Sequence, residues 1–395
     1  MKIVITNHEF RAHFPPRIKF FYEEAKRQGH EVHVIELYGI SICYQFSNNK
    51  QNNENWEVLF SEEKTGAVKF ENVEKRLTER LDAINPDVIM SGIATFPVGI
   101  ISLRWAKKNN RGIVEFGNAK KNTFKHNFLV HQIKRMMFRN VDAFFCPSDK
   151  WDESMIFWGF KKEEIFYGLN VTNTHDWEGD VKNIHFTNLP KEYMLTCGRQ
   201  VAMKNLPRLV KCYQQYSKEG GKLPLVMVGD GIKHNELVKL SEGNKNIIFL
   251  PYQPHDMMKE IFSQTKCLML PSFREETWGI VVNECMASGK IAACSIEAGC
   301  TTTIIEDGVN GFVYDPYDEN EIVRIMHKIE AISPEKLQEM QNKAKATIQN
   351  WGVERFAEGA LKACEYAIAH KKKIYNPFDW FLIKFWKGRM TIKNE

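Results

Sequence analysis

The stretch "CLMLPSFREETWGIVVNECMASGKIAAC" (267–294) contains two short apolar runs on either side of an acidic loop and a small-residue segment. The runs at 267–271 and 290–294 are apolar on both faces, which is typical of parallel strands covered by helices. The segment between them predicts a helix that begins near Gly279 or Ile280. A strand, a helix and a second strand in this order predict an α/β fold.

The same alternation runs through the whole chain and predicts two doubly wound α/β sheets in series. Strands of the first sheet are predicted at 2–6, 31–35, 87–91, 112–116 and 142–146, and strands of the second at 193–197, 225–229, 246–250, 267–271 and 290–294. We therefore expect a first domain over 1–172, a polar linker over 173–190 and a second domain over 191–350. Two nucleotide-binding-type domains of this kind are expected to face a cleft.

Composition sets limits on the function. The chain has 395 residues, a net charge of +5, and apolar and charged fractions of 43% and 26%, which are typical of a globular protein and too mildly basic to indicate nucleic acid. Nine cysteines form no CxxC pair, which favours reduced thiols in a cytoplasmic protein. No run approaches the ~20 apolar residues of a membrane-spanning helix, and no Asp-x-Asp metal site is expected, since the acids at 314–321 suit a turn and helix cap.

Ligands of open parallel sheets bind beyond the carboxyl ends of the strands, so the loops that follow the strands are the candidate site. In "CGRQVAMKN" (197–205) Gly198 ends a strand, and Arg199 and Lys204 lie five positions apart. Two cations at a strand end can hold a diphosphate, Arg as a fork and Lys as a point charge. The alternative is that both are solvated loop residues.

The acidic loop places Glu276 and Glu284 on either side of the predicted helix start, with seven residues between them. Helix side chains lean towards the N-terminus, so Glu284 can reach back over the loop. Between the two carboxylates lie unpaired backbone amides that suit phosphate oxygens. This layout fits a nucleotide-sugar, with hydroxyls at both ends and phosphate between. Alternatively, Glu275 and Glu276 are only charges at a helix N-terminus; of these two we leave Glu275 to solvent.

Four motifs in order resemble the retaining GT-B glycosyltransferases of family 4: "CGRQVAMKN", "VGDGI", "LPSFREETWGIVVNECMASGK" and "IIEDGVNGFVYDP". The resemblance covers about 130 residues (193–325), and its most specific element is the pair of glutamates with seven residues between them. It implies two Rossmann-like domains that face an interdomain cleft. It also implies a last helix, at 351–370, that crosses back to the first domain, followed by a tail at 371–395.

The resemblance further implies roles for single residues. Arg199 and Lys204 would hold the donor diphosphate, Glu276 would contact hydroxyls of the transferred sugar, and Glu284 would contact the ribose. Other donor-binding residues would be Gly198, Thr277, Trp278, Gly279 and Ile280. The anomeric configuration would be retained through front-face substitution, without a metal ion and with no cofactor beyond the nucleotide diphosphate sugar as co-substrate.

The first half departs from the family pattern at two places. Many relatives have a Gly-Gly loop after the first strand, where this chain has Ala12 and His13. Relatives often have a histidine after the fourth strand, where "VEFGN" offers none. We name His8, His13 and Asn118 as candidate cleft residues of the first domain.

Basic and aromatic residues mix at 119–140 and at 371–390. The first segment is either a solvated face over a core stripe of Phe128, Ile133, Met137 and Phe138, or an interfacial helix that meets anionic lipid. The second either docks on the first domain or anchors the chain to a membrane surface.

The expected function is sugar transfer to a glycan or lipid-linked acceptor in cell-surface polysaccharide or glycoconjugate synthesis, in the cytoplasm or on the inner face of the cytoplasmic membrane. The alternatives are a nucleotide-sugar epimerase or hydrolase of GT-B shape, or a non-catalytic nucleotide-sugar-binding module. No nucleic-acid partner is expected.

Overall fold

The computed structural model describes residues 1–11, 13–42, 55–125, 127–179, 186 and 188–389. The chain forms two compact units. The first contains Met1–Val171 together with the described residues from Val353 onward, and the second is Thr172–Gly352.

The first unit is built on a parallel sheet of seven strands. Its elements are β1 (Lys2–Asn7), α1 (Phe14–Arg27), β2 (Glu31–Ile40), β3 (Trp56–Lys64), α2 (Phe70–Ile84), β4 (Val88–Gly92), α3 (Pro97–Lys108), β5 (Gly112–Phe116), α4 (Phe128–Phe138), β6 (Ala143–Cys146), α5 (Asp152–Phe157) and β7 (Ile165–Tyr167). The strand order is β3-β2-β1-β4-β5-β6-β7, and each neighbouring pair is parallel.

The second unit repeats this plan with six strands. Its elements are β8 (Tyr193–Cys197), α6 (Leu206–Lys218), β9 (Leu225–Val228), α7 (His234–Leu240), β10 (Ile247–Leu250), α8 (His255–Gln264), β11 (Thr265–Leu270), α9 (Ile280–Ala287), β12 (Ile291–Ser295), α10 (Thr301–Ile304), β13 (Gly311–Tyr314), α11 (Glu319–Glu330) and α12 (Pro334–Gln349). The order is β10-β9-β8-β11-β12-β13, again parallel throughout. The predicted pair of doubly wound α/β sheets is confirmed.

Two final helices, α13 (Val353–Ala369) and α14 (Pro377–Phe385), pack on the first unit. On α13, the ring of Phe356 makes edge contacts with Phe21 of α1 and Phe145 of β6. The backbone of Ala367 packs closely against Gly112, since a Cβ added at Gly112 would lie 3.1 Å from the carbonyl carbon of Ala367. The helix predicted at 351–370 thus lies in the first unit.

All ten predicted strands are present, and three unpredicted ones are added. The three are β3, β7 and β13, and each is the last strand at an edge of its sheet. An edge strand has a neighbour on one side only, so it needs fewer apolar residues than a central strand. In β3 only Val58 and Leu59 are buried, and β7 has three residues.

The residues predicted as a linker, 173–190, include a buried anchor. The indole of Trp177 contacts the rings of His255 and Phe262 at centroid distances of 4.3 and 5.4 Å within the second unit. The eight described cysteines are free thiols, while Cys43 lies outside the described residues. Over the described ranges, no helix combines the length and the apolarity needed to cross a membrane.

One buried acid gives the first unit a testable pH dependence. Burial in β5 raises the pKa of Glu115 from its ordinary 4.5 to about 8. The native state therefore keeps a proton that the unfolded chain releases above pH 4.5. Stability from this group is present below that pH and is lost as the pH rises to about 8.

We predict that Glu115→Gln, which cannot ionise, removes this loss. Relative to the wild type, the variant should gain a few kcal/mol of unfolding free energy between pH 5 and pH 8. Urea unfolding at both pH values checks this, with the exposed Glu23→Gln as control. An identical pH dependence in wild type and Glu115→Gln would contradict the assignment.

Candidate functional site

The strand order of the second sheet reverses between β8 and β11. The chain winds outward from β8 to β10 and then returns to pair β11 with the other side of β8. Ligands of doubly wound sheets bind in the crevice at this switch point. The loops that leave these two strands, 198–205 and 271–279, are those that carry the predicted cations and Glu276.

Hydrogen bonds to backbone carbonyls hold these two loops together. The side-chain amide of Asn205 donates to the carbonyl of Pro271 at 3.1 Å, and the amide of Phe273 donates to the carbonyl of Met203 at 2.9 Å. Asn205 is buried and has a left-handed φ of 53°. The two predicted loops therefore form one continuous wall.

Lys204 and Glu276, which are 72 positions apart in the chain, form an ion pair across this wall. Their side chains are only 15% and 12% exposed, so each charge has lost most of its water and depends on the other. Ser272 adds a hydroxyl that donates to the same carboxylate oxygen at 3.2 Å. The lysine also lies beside Gly198, where a Cβ would be 3.9 Å from its Nζ.

The loop around Arg199 is fixed by the neighbouring "VGDGI" turn. Gln200 is buried; its amide donates to the carbonyl of Asp230 at 2.8 Å and its side chain donates to the carbonyl of Gly229 at 2.9 Å. Gly229 has a φ of 124°, and a Cβ there would lie 2.2 Å from the carbonyl oxygen of Gly198. Because Gly229 has no side chain, its backbone can lie against that of Gly198. Half-buried Arg199 follows Gly198 at the end of β8.

The helix start lies where the sequence predicts it. Helix α9 begins at Ile280, and Gly279 precedes it with a φ of 99° and no side-chain cap. The amide of Val282 donates to the carbonyl of Gly279 at 2.9 Å. The amides ahead of it, at Ile280 and Val281, have no acceptor within the helix, which suits a phosphate site. Glu275 is exposed, as expected.

Two residues of the predicted donor set hold the acidic loop in place. The indole of buried Trp278 donates to Asn283 at 2.8 Å and packs on Trp351 at a ring distance of 5.3 Å. The carbonyl of Thr277 lies against Gly299, where a Cβ would be only 2.0 Å away. The side chain of Trp278 and the backbone carbonyl of Thr277 are therefore both committed to packing within the second unit.

Glu284 lies near the carboxyl ends of β8 and β10. Burial raises the pKa of the Cys197 thiol at the end of β8, and the carboxylate of Glu284 adds to this rise. Burial also raises the pKa of Tyr252, which follows β10, again with a contribution from Glu284. Glu284 therefore faces the loops after β8 and β10, on the same edge as Glu276.

The first unit has its own switch point, between β1 and β4. His8 follows β1, and its ring lies 5.8 Å from that of Phe96 at the start of α3. Burial lowers the pKa of His8, with Arg11 acting in the same direction and Glu9 opposing it. The imidazole is therefore neutral at neutral pH.

The glycine-free loop after β1 is held by a buried ion pair. Arg11 pairs with Glu36 of β2 and donates to the carbonyls of Tyr38 and Gly39 at 2.8 and 3.0 Å. Glu36 also accepts from the Phe10 amide at 2.5 Å. These contacts hold Phe10 and Arg11 against β2.

The structure also shows where His13 and Asn118, the other two candidate cleft residues, lie in the first unit. His13 occupies the position before α1, while Ala12 lies outside the described residues. The carbonyl of Asn118 accepts from the Trp151 indole at 2.9 Å. Within the described ranges, no three His, Cys, Asp or Glu side chains cluster in a way that could hold a metal ion.

Residues 179–347 match the model of a family described as glycosyl transferases group 1. This match confirms the resemblance to that family. No curated protein sequence matches the chain.

Solved glycosyltransferase structures share the fold over nearly the whole chain. The Anabaena protein HepE in complex with UDP and glucose has a TM-score of 0.71 and 14% identity, covering 92% of this chain and 99% of its own. Sucrose-phosphate synthase from Thermosynechococcus elongatus has a TM-score of 0.74 and 14% identity, with coverage of 93% and 100%. The lipopolysaccharide outer core galactosyltransferase WaaB, in its apo form, has values of 0.66 and 16%, with coverage of 92% and 99%. At these identities the similarity shows the GT-B fold.

Three site residues were not predicted from the sequence. They are Ser272 and Asn205, which fix the wall at the switch point, and Tyr252, which lies near Glu284. Each lies directly after a strand or at a helix start, so the rule that selected the loops could have selected them as well.

We predict that Gly279→Ala destabilises the second unit more than Gly289→Ala does. Both glycines have positive φ, which costs an alanine about 1–2 kcal/mol. At Gly279 the new Cβ would also lie 2.7 Å from the side chain of buried Leu270, whereas nothing lies within 4 Å at Gly289. Urea unfolding of the two variants measures the difference; equal losses would contradict the tight packing at the start of α9.

Proposed function

We propose that the protein is a retaining glycosyltransferase that moves a sugar from a nucleotide diphosphate sugar to a hydroxyl of a glycan or lipid-linked acceptor. One observation carries the proposal: two cations, two carboxylates and an uncapped helix start share one edge of a sheet at its switch point. The match to glycosyl transferases group 1 over 179–347 supports the same reaction.

Each group of the site has a proposed task. Arg199 and Lys204 hold the diphosphate together with the backbone amides around Gly279 and Ile280. Glu276 accepts from hydroxyls of the sugar and Glu284 from those of the ribose. Because Lys204 already contacts Glu276, it can bridge the sugar-binding carboxylate and the phosphate next to it.

The proposed chemistry needs no protein nucleophile and no metal ion. The bond between the anomeric carbon and the phosphate oxygen breaks, and the acceptor oxygen attacks from the same face. The acceptor's proton passes to the leaving phosphate oxygen. Arg199 and Lys204 stabilise the negative charge that builds up on the diphosphate, which is the main electrostatic contribution of the protein.

We also propose that the enzyme works at an anionic membrane surface, in keeping with a lipid-linked acceptor in cell-surface polysaccharide or glycoconjugate synthesis. On α4, Met137 and Phe138 of the predicted stripe are buried, but Phe128 and its neighbour Leu129 are exposed. The stripe is therefore only partly a core stripe, and its N-terminal end offers apolar surface.

A donor panel tests the site directly. We predict that one or more of the UDP-, GDP- and ADP-sugars raises the melting temperature of the wild type. Arg199→Ala and Glu276→Gln should each weaken donor binding by about tenfold to a hundredfold, because each removes a charge-assisted hydrogen bond. Exposed Glu275→Ala serves as the matched control and should bind as the wild type does.

The donor site would be wrong if no nucleotide-sugar stabilised the wild type, or if Arg199→Ala and Glu276→Gln both bound and turned over normally. Hydrolysis or epimerisation of the donor, with no transfer to any acceptor, would favour the alternative enzyme classes instead.

Front-face substitution makes a separate prediction about the product. With a donor of α configuration, the new glycosidic bond should also be α. Proton NMR of the product formed on a simple acceptor measures the anomeric coupling constant, and a β product would contradict retention while leaving the donor site intact.

A further inference from the structure

Helix α14 is anchored to the first unit through one face. Asp379 is buried and pairs with Arg139, and it also accepts from the side chain of Asn140 at 2.9 Å. Arg104 of α3 donates to the carbonyls of Ile383 and Trp386 at 2.9 and 2.7 Å. Helix α14 therefore docks on the first unit, which was one of the two interpretations of the sequence at 371–390.

The opposite face of α14 is apolar and exposed. Phe378, Phe381 and Phe385 are 75%, 61% and 56% exposed, although phenylalanine is normally buried. The rings of Phe381 and Phe385 lie 4.6 Å apart, and the ammonium of Lys384 lies 4.5 Å from the ring of Trp380. We call these four aromatic residues the aromatic face.

An open basic pocket of about 370 Å³ adjoins the aromatic face. Its wall is formed by the end of α3, the segment before α14, and α14 itself, through Arg104, Lys107, Lys108, Arg111, Lys371, Lys372, Lys373, Trp380, Ile383 and Lys384 among others. Trp380 and Lys384 belong to both the pocket and the helix that bears the aromatic face, so the two features form one continuous surface.

The pocket carries more positive charge than the acidic residues described in the structure neutralise. Lys107 pairs with Asp142, Lys372 with Glu164, and Arg111 with Asp87. The described part of the chain provides no acidic partner for four further cations, which are Lys108, Lys371, Lys373 and Lys384. An anion is the complement that this excess of charge requires.

We propose that this basic pocket binds the phosphate of an anionic phospholipid headgroup while the aromatic face enters the surface of the bilayer. Aromatic side chains, tryptophan above all, favour the boundary between headgroups and acyl chains. Basic residues near an anionic leaflet add about a factor of five in binding for each cation, equivalent to ~1 kcal/mol. Apolar insertion and a polybasic site together supply the two signals that stable membrane attachment needs.

This inference rests on the proposed membrane location but not on the donor site, which lies in the other unit. Loss of vesicle binding with donor binding intact would refute the pocket alone. Loss of donor binding with vesicle binding intact would refute the transferase site alone.

The test uses the full chain and sedimentation with vesicles. One set contains equal parts of phosphatidylcholine and phosphatidylglycerol, and the other contains phosphatidylcholine only. We expect binding to the anionic vesicles, weakened by added salt, and little binding to the neutral ones. Lys371→Glu with Lys373→Glu should reduce binding at least about tenfold, and Phe378→Ser with Phe381→Ser should reduce it as well.

A double variant on α6 of the second unit, Lys211→Glu with Lys218→Glu, makes the same change in net charge away from the pocket and should bind like the wild type. Unchanged melting temperatures would show that all variants fold. The proposal fails if the wild type does not sediment with anionic vesicles, or if both pocket and aromatic variants bind normally. It also fails if inorganic phosphate or single-stranded RNA binds the pocket while anionic vesicles do not.

Discussion

The parallel pairing of β8 with β11 is the constraint on which the second unit's site depends. Leu195 of one strand lies opposite Leu268 of the other, although β9, β10 and the helices between them separate the two in sequence. Because parallel strands end at the same edge, the loops that leave them must meet there. Lys204 and Glu276 become neighbours for this reason alone.

The two units use the same crevice in different ways. In the first, Glu36 of the buried Arg11–Glu36 pair accepts from the amide of Phe10, and Arg11 donates to the carbonyl of Tyr38 in β2. In the second, the Lys204–Glu276 pair joins two loops but leaves the start of α9 without a cap. The first pair uses its hydrogen-bonding groups within its own unit, whereas the second lies beside the amides at the start of α9, where we propose that the diphosphate binds. This difference explains why the donor is proposed to bind the second unit.

Much of this arrangement could be predicted from the sequence because central parallel strands are apolar on both faces. The ten predicted strands and the start of α9 follow from that pattern and from Gly279. The edge strands β3, β7 and β13 could not be found in this way, since they are short or buried on fewer sides. The anchor Trp177 was hidden in a polar stretch that composition alone assigns to a linker.

The site was predictable to a similar degree. The rule that ligands meet the ends of strands selected two loops that the structure brings together, and the spacing of Glu276 and Glu284 separated Glu276 from exposed Glu275. The ion pair of Lys204 with Glu276 could not be predicted, because it joins positions 72 apart and depends on which strands are neighbours. The docking of α14 was likewise open, since Asp379 shows its role only once Arg139 is beside it.

The central claim is that the donor's diphosphate lies at the switch point of the second sheet. A crystal structure with the nucleoside diphosphate that stabilises the protein most tests it directly. The account predicts phosphate oxygens about 3 Å from the side chains of Arg199 and Lys204 and from the first amides of α9. A nucleotide bound elsewhere, or a diphosphate out of reach of both cations, would contradict it.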